Sequence, residues 1–452
     1  MKSIDALTQF LQTHPDVETF EVILHDLNGI HRGKWLPREQ IDKLFEGGYK
    51  MPQSTCSLDC WGRDLEQLVA ATGDTDGICT PHPDTLAVVP WASRPTAQII
   101  VSMLSPDGQS AYPADPRVVL QQVLARYTKL GLTPVVASEM EFHLLEIDRD
   151  QFGRPQHTQR ALDGSPALGG ATYGIEAMRK IAPLMDAISS TAGQQNLPVD
   201  TLISEFGASQ CEINLHHQDC ALRACDQASM LRRAIRAVAQ QQGKQASFMA
   251  KPFADDVGNG MHIHFSLTDN NGNNVFDNGT PEGSDLLHHA VAGCLDNMAD
   301  SMAIFAPNIN SYRRLVPGCY APTAPTWGYE NRTTALRIPA GKGHAMRIEH
   351  RVAGADANIY LTVAAILAAA LYGIEKKLLP PAAIVGDAGE LAIKAEPQLP
   401  RFWGDALQRF EQSEFVEGYL GEAFQTVYAQ SKRSEKAEFD SRVTLLEYDA
   451  YL

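Results

Sequence analysis

Four short segments of this sequence carry carboxylate, imidazole or guanidinium groups at every second position. Residues 138–144 alternate between apolar side chains and Glu139, Glu141 and His143. A period of two is typical of a β-strand that buries one face, so the charged groups are expected to share the opposite face. The other three segments are 211–215 with Glu212, 261–267 with His262, His264 and Ser266, and 346–352 with Arg347, Glu349 and Arg351.

The chemistry of these polar faces is more informative than their periodicity. A solvated face of an antiparallel sheet alternates as well, but such a face usually mixes lysine, threonine, serine and glutamine. The four faces here contain no lysine. Residues i and i+2 of a strand lie roughly 6–7 Å apart, so two carboxylates at that spacing can ligate two neighbouring divalent cations. Carboxylates with one imidazole favour Mg²⁺ or Mn²⁺ over zinc, and arginines favour phosphate, so the combination predicts phosphoryl transfer.

A glycine-containing segment, residues 251–266, leads directly into the strand that carries the two histidines. Its glycines, Gly258 and Gly260, do not have the spacing of a P-loop or of a dinucleotide-binding loop. Considered alone, a glycine-containing turn before a strand is usually a hairpin.

Composition restricts the classes of function. The chain has 452 residues, 44% hydrophobic and 20% charged, as in a soluble globular protein of two domains. Its net charge of −16 argues against nucleic acid as a partner. Its eight cysteines form no CxxC pair and its first residues do not resemble a signal peptide, so we expect reduced thiols and a cytoplasmic location. The apolar stretch 359–374 is shorter than the roughly 20 residues that span a bilayer, and it predicts a buried helix capped by Asp356 and no membrane segment.

The order of the predicted elements indicates two domains. Residues 1–112 combine a first helix with short β-rich runs and turn signals. A turn-rich junction follows, in which Asp115 and Pro116 have the sequence pattern of an N-cap and a first helical residue. We therefore expect the second domain at 113–452.

Six motifs resemble those of the glutamine synthetase superfamily and occur in that family's order. They are EMEF at 139, EFGASQCEI at 205, KPF…GNGMHIHFS at 251–266, NSYRRLVPG at 310, ENRTTALRIP at 330 and RIEHR at 347. The resemblance spans nearly the whole chain and implies an α+β fold. In that fold a small N-terminal β-grasp domain precedes a larger catalytic domain with a curved antiparallel sheet and flanking helices. The family also forms stacked rings, commonly homo-dodecamers, with active sites between subunits.

The resemblance implies a role for each polar residue of the motifs. Glu141, Glu205 and Glu212 resemble the ligands of one metal ion, and Glu139, His262 and Glu349 resemble those of another, which implies two or more Mg²⁺ or Mn²⁺ ions per site. Nucleotide contacts are implied for His264, Ser266 and Arg337, glutamate contacts for Gly258, Arg314 and Arg351, and stabilisation of the transferred phosphoryl group for Arg332 and Arg347. In the implied reaction, glutamate accepts the γ-phosphoryl group of ATP, and an amine attacks the resulting γ-glutamyl phosphate.

The departures from glutamine synthetase surround the incoming nitrogen. Members of the family carry a glutamate in the loop after the VPG motif, where this sequence has Tyr320, which we include among the catalytic residues. Their N-terminal loop carries an aspartate, whereas residues 49–56 contain no acid, although Asp59 and Asp64 follow nearby. Ammonium needs anionic groups to replace its water. The NRT and GADAN runs, at 331 and 354, resemble the γ-glutamylpolyamine synthetase branch.

Three hypotheses follow from this reasoning. The leading one is a ligase that uses ATP to join the γ-carboxylate of glutamate to an amine, either a polyamine or a monoamine. The alternative is an authentic glutamine synthetase that uses ammonia. The third is a non-enzymatic ring scaffold, which would have no need for six metal ligands. Neither nucleic acid nor a membrane is expected as a partner.

Overall fold

Two β-sheets, with helices packed against them, make up the fold. The computed structural model describes residues 3–158, 172–316, 318, 320–389 and 399–452, so that Pro317 and Cys319 of the loop before Tyr320 lie outside the described residues. The strands are β1 Thr19–His25, β2 His31–Pro37, β3 Lys50–Pro52, β4 Asp76–Pro81, β5 Ala87–Val88, β6 Thr96–Leu104, β7 Thr133–Glu146, β8 Val199–Ser204, β9 Gln210–Leu215, β10 Lys244–Ser247, β11 Met261–Thr268, β12 Trp327–Tyr329, β13 Leu336–Ile338 and β14 Ile348–His350. The helices are α1 Ser3–Thr13, α2 Ile41–Phe45, α3 Glu66–Thr72, α4 Pro116–Lys129, α5 Ile175–Gln194, α6 Ala221–Gln241, α7 Asp285–Asp296, α8 Met302–Phe305, α9 Ser311–Arg314, α10 Ile359–Lys376, α11 Trp403–Gln412, α12 Glu414–Leu420, α13 Glu422–Asp440 and α14 Leu445–Tyr451.

The first sheet has the strand order β2-β1-β6-β4-β3, with β5 paired to β6. β1 and β6 are parallel, and the remaining pairs are antiparallel. Phe20 and Val22 of β1 belong to a hydrophobic core of this sheet's own. Ile23 and Ile100, on its other face, join the core of the second sheet. Both faces of the first sheet are therefore covered.

The junction after β6 has the predicted helix start. Asp115 is the N-cap of α4, and its Oδ1 accepts hydrogen bonds from the backbone N–H groups of Arg117 at 2.9 Å and Val118 at 3.3 Å. Its Oδ2 accepts a third bond, from the backbone N–H of Met103 in β6, at 2.8 Å. The same carboxylate thus caps the helix and ties it to the last strand of the first sheet.

The second sheet has the order β12-β13-β14-β11-β7-β9-β8, with β10 paired to β7. Its pairs are antiparallel except for β12 and β13, which are parallel, so the sheet is mixed where the sequence predicts an antiparallel one. Met140, Phe142, Ile213, Ile263 and Phe265 are fully buried in the main core. The alternation in the sequence therefore predicts the buried face of β7, β9 and β11 correctly.

Helix α10 fills the centre of that core. It is long and apolar enough to cross a membrane by length and composition alone, but 78% of it is buried inside the protein, which is typical of a core helix. Its N-cap is Asn358, whose Oδ1 accepts from the backbone N–H groups of Tyr360 and Leu361, so the prediction of Asp356 as the cap is wrong. Asp356 is instead half-buried and accepts from the side chains of Asn308 and Ser311, at 2.7 Å each.

The cysteines that the structure describes are all free thiols. Five of these seven are buried, namely Cys56, Cys79, Cys211, Cys225 and Cys294. They agree with the predicted reduced, packed thiols, while Cys319 lies outside the described part of the chain.

Candidate active site

The strand register brings the charged residues of distant segments together on one face of the second sheet. His262 of β11 lies opposite Glu139 of β7, and Glu141 of β7 lies opposite Glu212 of β9. On the other side of β11, His264 lies opposite Glu349. Six of the predicted site residues therefore occupy one continuous patch that spans four strands.

Glu139 lies at the centre of this patch, between two imidazoles. Its Oε1 is 2.8 Å from Nε2 of His264, and its Oε2 is 3.1 Å from Nδ1 of His262. Burial alone would raise the pKa of Glu139, but the hydrogen bonds from His262 and His264 outweigh it and hold the pKa well below its usual value. Glu139 is therefore ionised at neutral pH.

These contacts fix which nitrogen of each histidine carries the proton. Nε of Arg347 lies 3.1 Å from Nδ1 of His264, and because a guanidinium can only donate, Nδ1 accepts and Nε2–H donates to Glu139. His262 donates through Nδ1–H to the same carboxylate. Nε2 of His262 is therefore the nitrogen that a neutral ring leaves free to ligate a metal ion.

Glu349 is held by arginines. Nη1 of Arg337 donates to its Oε2 at 2.7 Å, and Nη1 of Arg351 donates to its Oε1. Burial raises the pKa of Glu349, but the positive charge of Arg351 outweighs burial and lowers the pKa to about 2. The Nε atoms of Arg337 and Arg351 are buried without a hydrogen-bond partner among the described residues, so each arginine keeps an unused donor at the site.

Glu141 is fixed by the glycine-containing segment before β11. The backbone N–H of Gly260 donates to Oε2 of Glu141 at 2.6 Å, and Nε2 of Gln210 donates to the same oxygen at 3.2 Å. A Cβ at Gly260 would lie 2.8 Å from Nη2 of Arg314, and one at Gly258 would lie 2.4 Å from the carbonyl oxygen of Ala250. Gly258 therefore requires glycine because backbone lies against it, whereas a side chain at Gly260 would displace the guanidinium of Arg314.

The carboxylates at the β9 end of the patch are surrounded by more negative than positive charge. Burial, followed by the charge of Glu141, raises the pKa of Glu205 to about 7. Burial, with the charges of Glu139 and Glu141, also raises the pKa of Glu212 well above its usual value. Buried carboxylates that repel one another have the chemistry of a cation site, because a divalent ion supplies the missing charge.

Two groups of side chains could each hold a metal ion. Glu139, Glu212 and His262 form one, and Glu139, His264 and Glu349 form the other, with the ligand atoms of each group within 4.8 Å of one another. Glu139 belongs to both groups. The sequence instead separates Glu139, His262 and Glu349 from Glu141, Glu205 and Glu212, so the division of ligands between two ions stays a prediction.

A family model described as "Glutamine synthetase, catalytic domain" matches residues 113–451 of this chain. The chain belongs to the glutamine synthetase family. The described strands agree with the fold that this membership implies, in which a curved sheet carries the polar patch and helices cover its other face.

Known members of the family are similar over almost the whole length. Gamma-glutamylputrescine synthetase PuuA of Escherichia coli is 38% identical over 98% of this chain and 93% of its own length. A glutamine synthetase of Halobacterium salinarum is 31% identical over 94% of this chain and 92% of its own length. Among solved structures, GmaS in complex with ADP superposes with a TM-score of 0.86 at 28% identity, covering 98% of this chain and 99% of that one.

Three of the predicted family residues lie at the edge of the patch. Ser266 is buried on β11, two positions after His264. Arg314 is buried and donates through Nη1 to the carbonyl oxygen of Val352 at 2.8 Å. Arg332 is exposed and borders a cavity of about 600 Å³. A larger cavity, of about 960 Å³, lies at helix α13 and contains none of the predicted site residues, so cavity size does not identify this site.

Asp59 and Asp64, the two acids that follow the N-terminal loop, differ in their exposure. Asp59 is buried, and its carboxylate accepts from Nε of Arg63 at 2.7 Å and from two backbone N–H groups. Asp64 is exposed. Asp59 is therefore already neutralised within its own loop and is not a free acceptor for ammonium.

The residues that support the patch were missed by the sequence analysis. Nε2 of Gln210 donates to Glu141, to the carbonyl oxygen of Gly258 at 3.0 Å and to Oδ1 of Asn259 at 3.1 Å. Oδ1 of Asn259 also lies 2.8 Å from Nδ1 of His143. His143 has the same strand parity as Glu139 and Glu141, which is the one signal in the sequence that places this group beside the site.

Proposed function

We propose that this chain is an ATP-dependent ligase that joins the γ-carboxylate of glutamate to an amine. The observation that carries the proposal is the patch of carboxylates and imidazoles, rimmed by arginines, on one face of the second sheet. The similarity to an amine ligase at 38% identity, compared with 31% for a glutamine synthetase, supports an amine as the nitrogen donor.

Two or more Mg²⁺ or Mn²⁺ ions would bind the acidic patch. Glu141, Glu205 and Glu212 would hold one, and Glu139, His262 and Glu349 would hold the other. The raised pKa values of Glu205 and Glu212 support cation binding, as does the free lone pair of His262. When bound, such ions neutralise the charge of the phosphate oxygens.

The arginines and the glycine segment would bind and orient the reactants. Arg314, Arg351 and Gly258 would hold glutamate, while His264, Ser266 and Arg337 would contact the nucleotide. Arg332 and Arg347 would stabilise the phosphoryl group as it passes from ATP to the γ-carboxylate, which releases ADP and forms γ-glutamyl phosphate. The neutral amine then attacks the γ-carbonyl carbon, phosphate leaves, and the amine nitrogen loses a proton.

Two features favour an amine over ammonium. Tyr320 stands where family members that use ammonium have a glutamate, and it is exposed at the site rim. Asp59, which could have replaced a missing acid, is bound by Arg63. A bare ammonium ion would then lack anionic acceptors to replace its water. The alternative, an authentic glutamine synthetase, requires an acid from elsewhere, such as a neighbouring subunit.

The assembly and location follow from the family and the thiols. We propose a homo-dodecamer of stacked rings with active sites between subunits, and a cytoplasmic location in which the free cysteines stay reduced. The proposed division into a β-grasp domain at 1–112 and a catalytic domain at 113–452 is supported by the hydrophobic core that the first sheet has of its own, although Ile23 and Ile100 of that sheet pack into the main core.

A single assay tests the activity. Phosphate release from ATP and glutamate is measured with ammonium, putrescine, spermidine or a simple monoamine, each at equal concentration. We expect kcat/KM for the best amine to exceed that for ammonium by at least tenfold. Equal or better efficiency with ammonium would restore the glutamine synthetase alternative, and no phosphate release with any donor would favour the scaffold.

A further inference from the structure

A second aromatic residue, Phe206, stands beside Tyr320 at the rim of the acidic patch. The two residues are 51% and 77% exposed, and their ring centroids are 5.9 Å apart. Phe206 directly follows Glu205, whose carboxylate interacts with the charges of Glu141 and Arg332. Two large apolar surfaces therefore border a site that is otherwise lined by charged groups.

The backbone that carries Phe206 is fixed in place. The N–H of Gly207 donates to Oε1 of Gln210 at 3.0 Å, and the N–H of Ala208 donates to Oδ2 of Asp256 at 3.0 Å. These bonds close the turn between β8 and β9 on both sides. Phe206 is therefore exposed on a rigid turn, and its exposure is not the result of a loose loop.

The interior beneath this turn has no room for a larger side chain. A Cβ at Gly207 would lie 2.7 Å from Nε2 of His143 and 2.9 Å from Cγ2 of Val257. The neighbouring side chain on the other side, Glu205, already turns towards the acidic patch. Gly207 is thus packed closely beneath the turn, while the neighbouring Phe206 ring lies on the exposed side, next to Tyr320.

Tyr320 itself has an unusual backbone conformation. Its φ is +54°, in the left-handed region that residues other than glycine rarely adopt. Such conformations occur where the surrounding structure holds a side chain in a required position, often at functional sites. The aromatic pair is thus presented from two separate loops, and each ring is positioned by its own backbone.

We infer that Phe206 and Tyr320 form an apolar wall that binds the carbon chain of the amine substrate, and that Phe206 sets the enzyme's preference for chain length. The inference rests on the proposed ligase function and names its substrate class as primary amines with an aliphatic chain. The amine nitrogen would lie on the inner side of the two rings, towards the γ-carbonyl carbon that it attacks. The methylenes would lie against the two rings, and a distal ammonium group of a diamine would be attracted to a ring face.

The test is the dependence of kcat/KM on chain length. Phosphate release is measured for ammonium, ethylamine, propylamine, butylamine and 1,4-diaminobutane, with the wild type and with Phe206→Ala. Complete burial of one methylene corresponds to about a fourfold change, so we expect a wild-type increase of about two- to fourfold per methylene. In Phe206→Ala this increase should fall below about 1.5-fold per methylene, mainly through a higher KM for the longer amines, because the lost contact acts on binding.

Three further variants separate specificity from general damage. Phe206→Leu keeps an apolar side chain and should retain most of the chain-length dependence. Phe206→Glu places an acid at the rim and should raise the efficiency of ammonium relative to butylamine. Phe402→Ala removes another exposed phenylalanine, which precedes α11, and should match the wild type.

The outcomes distinguish this inference from the proposed function. If the wild type ligates no amine better than ammonium, the ligase proposal fails. If it ligates amines but shows no chain-length dependence, or if Phe206→Ala keeps the wild-type dependence, the ligase proposal stands and the apolar wall is wrong.

Discussion

Glu141 and His262 are held in place by hydrogen bonds with neighbouring residues of the site. Glu141 accepts from Gly260 and Gln210, and His262 donates to Glu139, on strands whose opposite faces are packed in the core. Because the polar face contributes little to that core, its removal should affect chemistry far more than folding.

Glu141→Ala and His262→Ala are each expected to lower ATP turnover about a thousandfold, since loss of a metal ligand removes several kcal/mol of transition-state stabilisation. Turnover is measured with saturating magnesium, and circular dichroism checks the fold. His216→Ala is the matched control, because this histidine is exposed just beyond β9 and is expected to keep wild-type activity. Near-normal turnover in Glu141→Ala or His262→Ala would contradict the ligand assignment.

Tyr320→Glu tests the residue that replaces the family's glutamate. A carboxylate at this position would accept hydrogen bonds from ammonium, and a charge-assisted bond contributes about 1.5–3 kcal/mol. We expect the ratio of kcat/KM for ammonium to that for putrescine to rise about tenfold or more. An unchanged ratio would leave the ligase activity intact but remove Tyr320 from the amine site.

At the residue scale, the sequence predicts the site residues that lie on regular strands, but it does not predict the residues that hydrogen-bond to them. Glu139, His262 and Glu349 follow from period-two alternation. Gln210 and Asn259 have no such signal, because their role depends on hydrogen bonds to residues about 50 to 70 positions away. Uncharged amides in loops are common, and only the folded contacts distinguish these two.

The elements show a similar division. β7, β9 and β11 include the predicted segments, because each buries one face for five residues or more. The segment predicted at 346–352 forms a strand only over the three residues of β14, since pairing with β11 and β13 is confined to that short stretch. β8 was not predicted because its residues are largely half-buried or exposed, without clear alternation.

Helices α7 and α10 cross where Gly293 of α7 meets Gly373 of α10, and their backbones are in close contact there. A Cβ at Gly293 would lie 2.2 Å from the carbonyl oxygen of Ala369 and 2.5 Å from the backbone N of Gly373. Neither atom belongs to a flexible side chain, so the helices would have to move apart. The crossing therefore depends on glycine in both helices.

Gly293→Ala should lower the free energy of unfolding by about 1–3 kcal/mol, because the added methyl group overpacks the helix crossing. The control is Gly418→Ala in α12, where a Cβ would have no neighbour within 4 Å and where alanine favours the helix by about 1 kcal/mol. Thermal unfolding of both variants is compared at one protein concentration. A Gly293→Ala variant as stable as Gly418→Ala would show that the two helices can move apart without a loss of stability.

At the scale of the whole molecule, polar contacts join the first sheet to the catalytic core. Nδ2 of Asn358, the cap of α10, donates to the carbonyl oxygen of Asp26 at 3.0 Å, just after β1. Nη1 of Arg117 in α4 lies 2.9 Å from Nε2 of His82, the residue that follows β4. The segment between β3 and α3 also reaches α13, where Glu435 accepts from the N–H of Cys60 at 2.9 Å. The two sheets are thus held in one orientation.

The C-terminal residues 441–452 differ from these joined elements in that every one of them is exposed. Leu445, Leu446 and Tyr451 of this segment lie on or at the end of helix α14, whose start is fixed by a capping box. Apolar residues clustered on an exposed helix mark an interaction surface. In a ring assembly, this helix is available to pack against another subunit.

Because the family resemblance implies active sites between subunits, the purified chain is expected to form a large ring assembly of about twelve copies. Replacement of both Leu445 and Leu446 by aspartate should shift the chain towards smaller species, because charges cannot be buried at an apolar contact without partners. Light scattering at fixed protein concentration measures the mass of both forms. Asp449→Asn, on the same helix, is the matched control and should keep the wild-type mass. A fully active wild-type monomer would contradict the ring, whereas an intact ring in the double variant would show that α14 takes no part in holding it together.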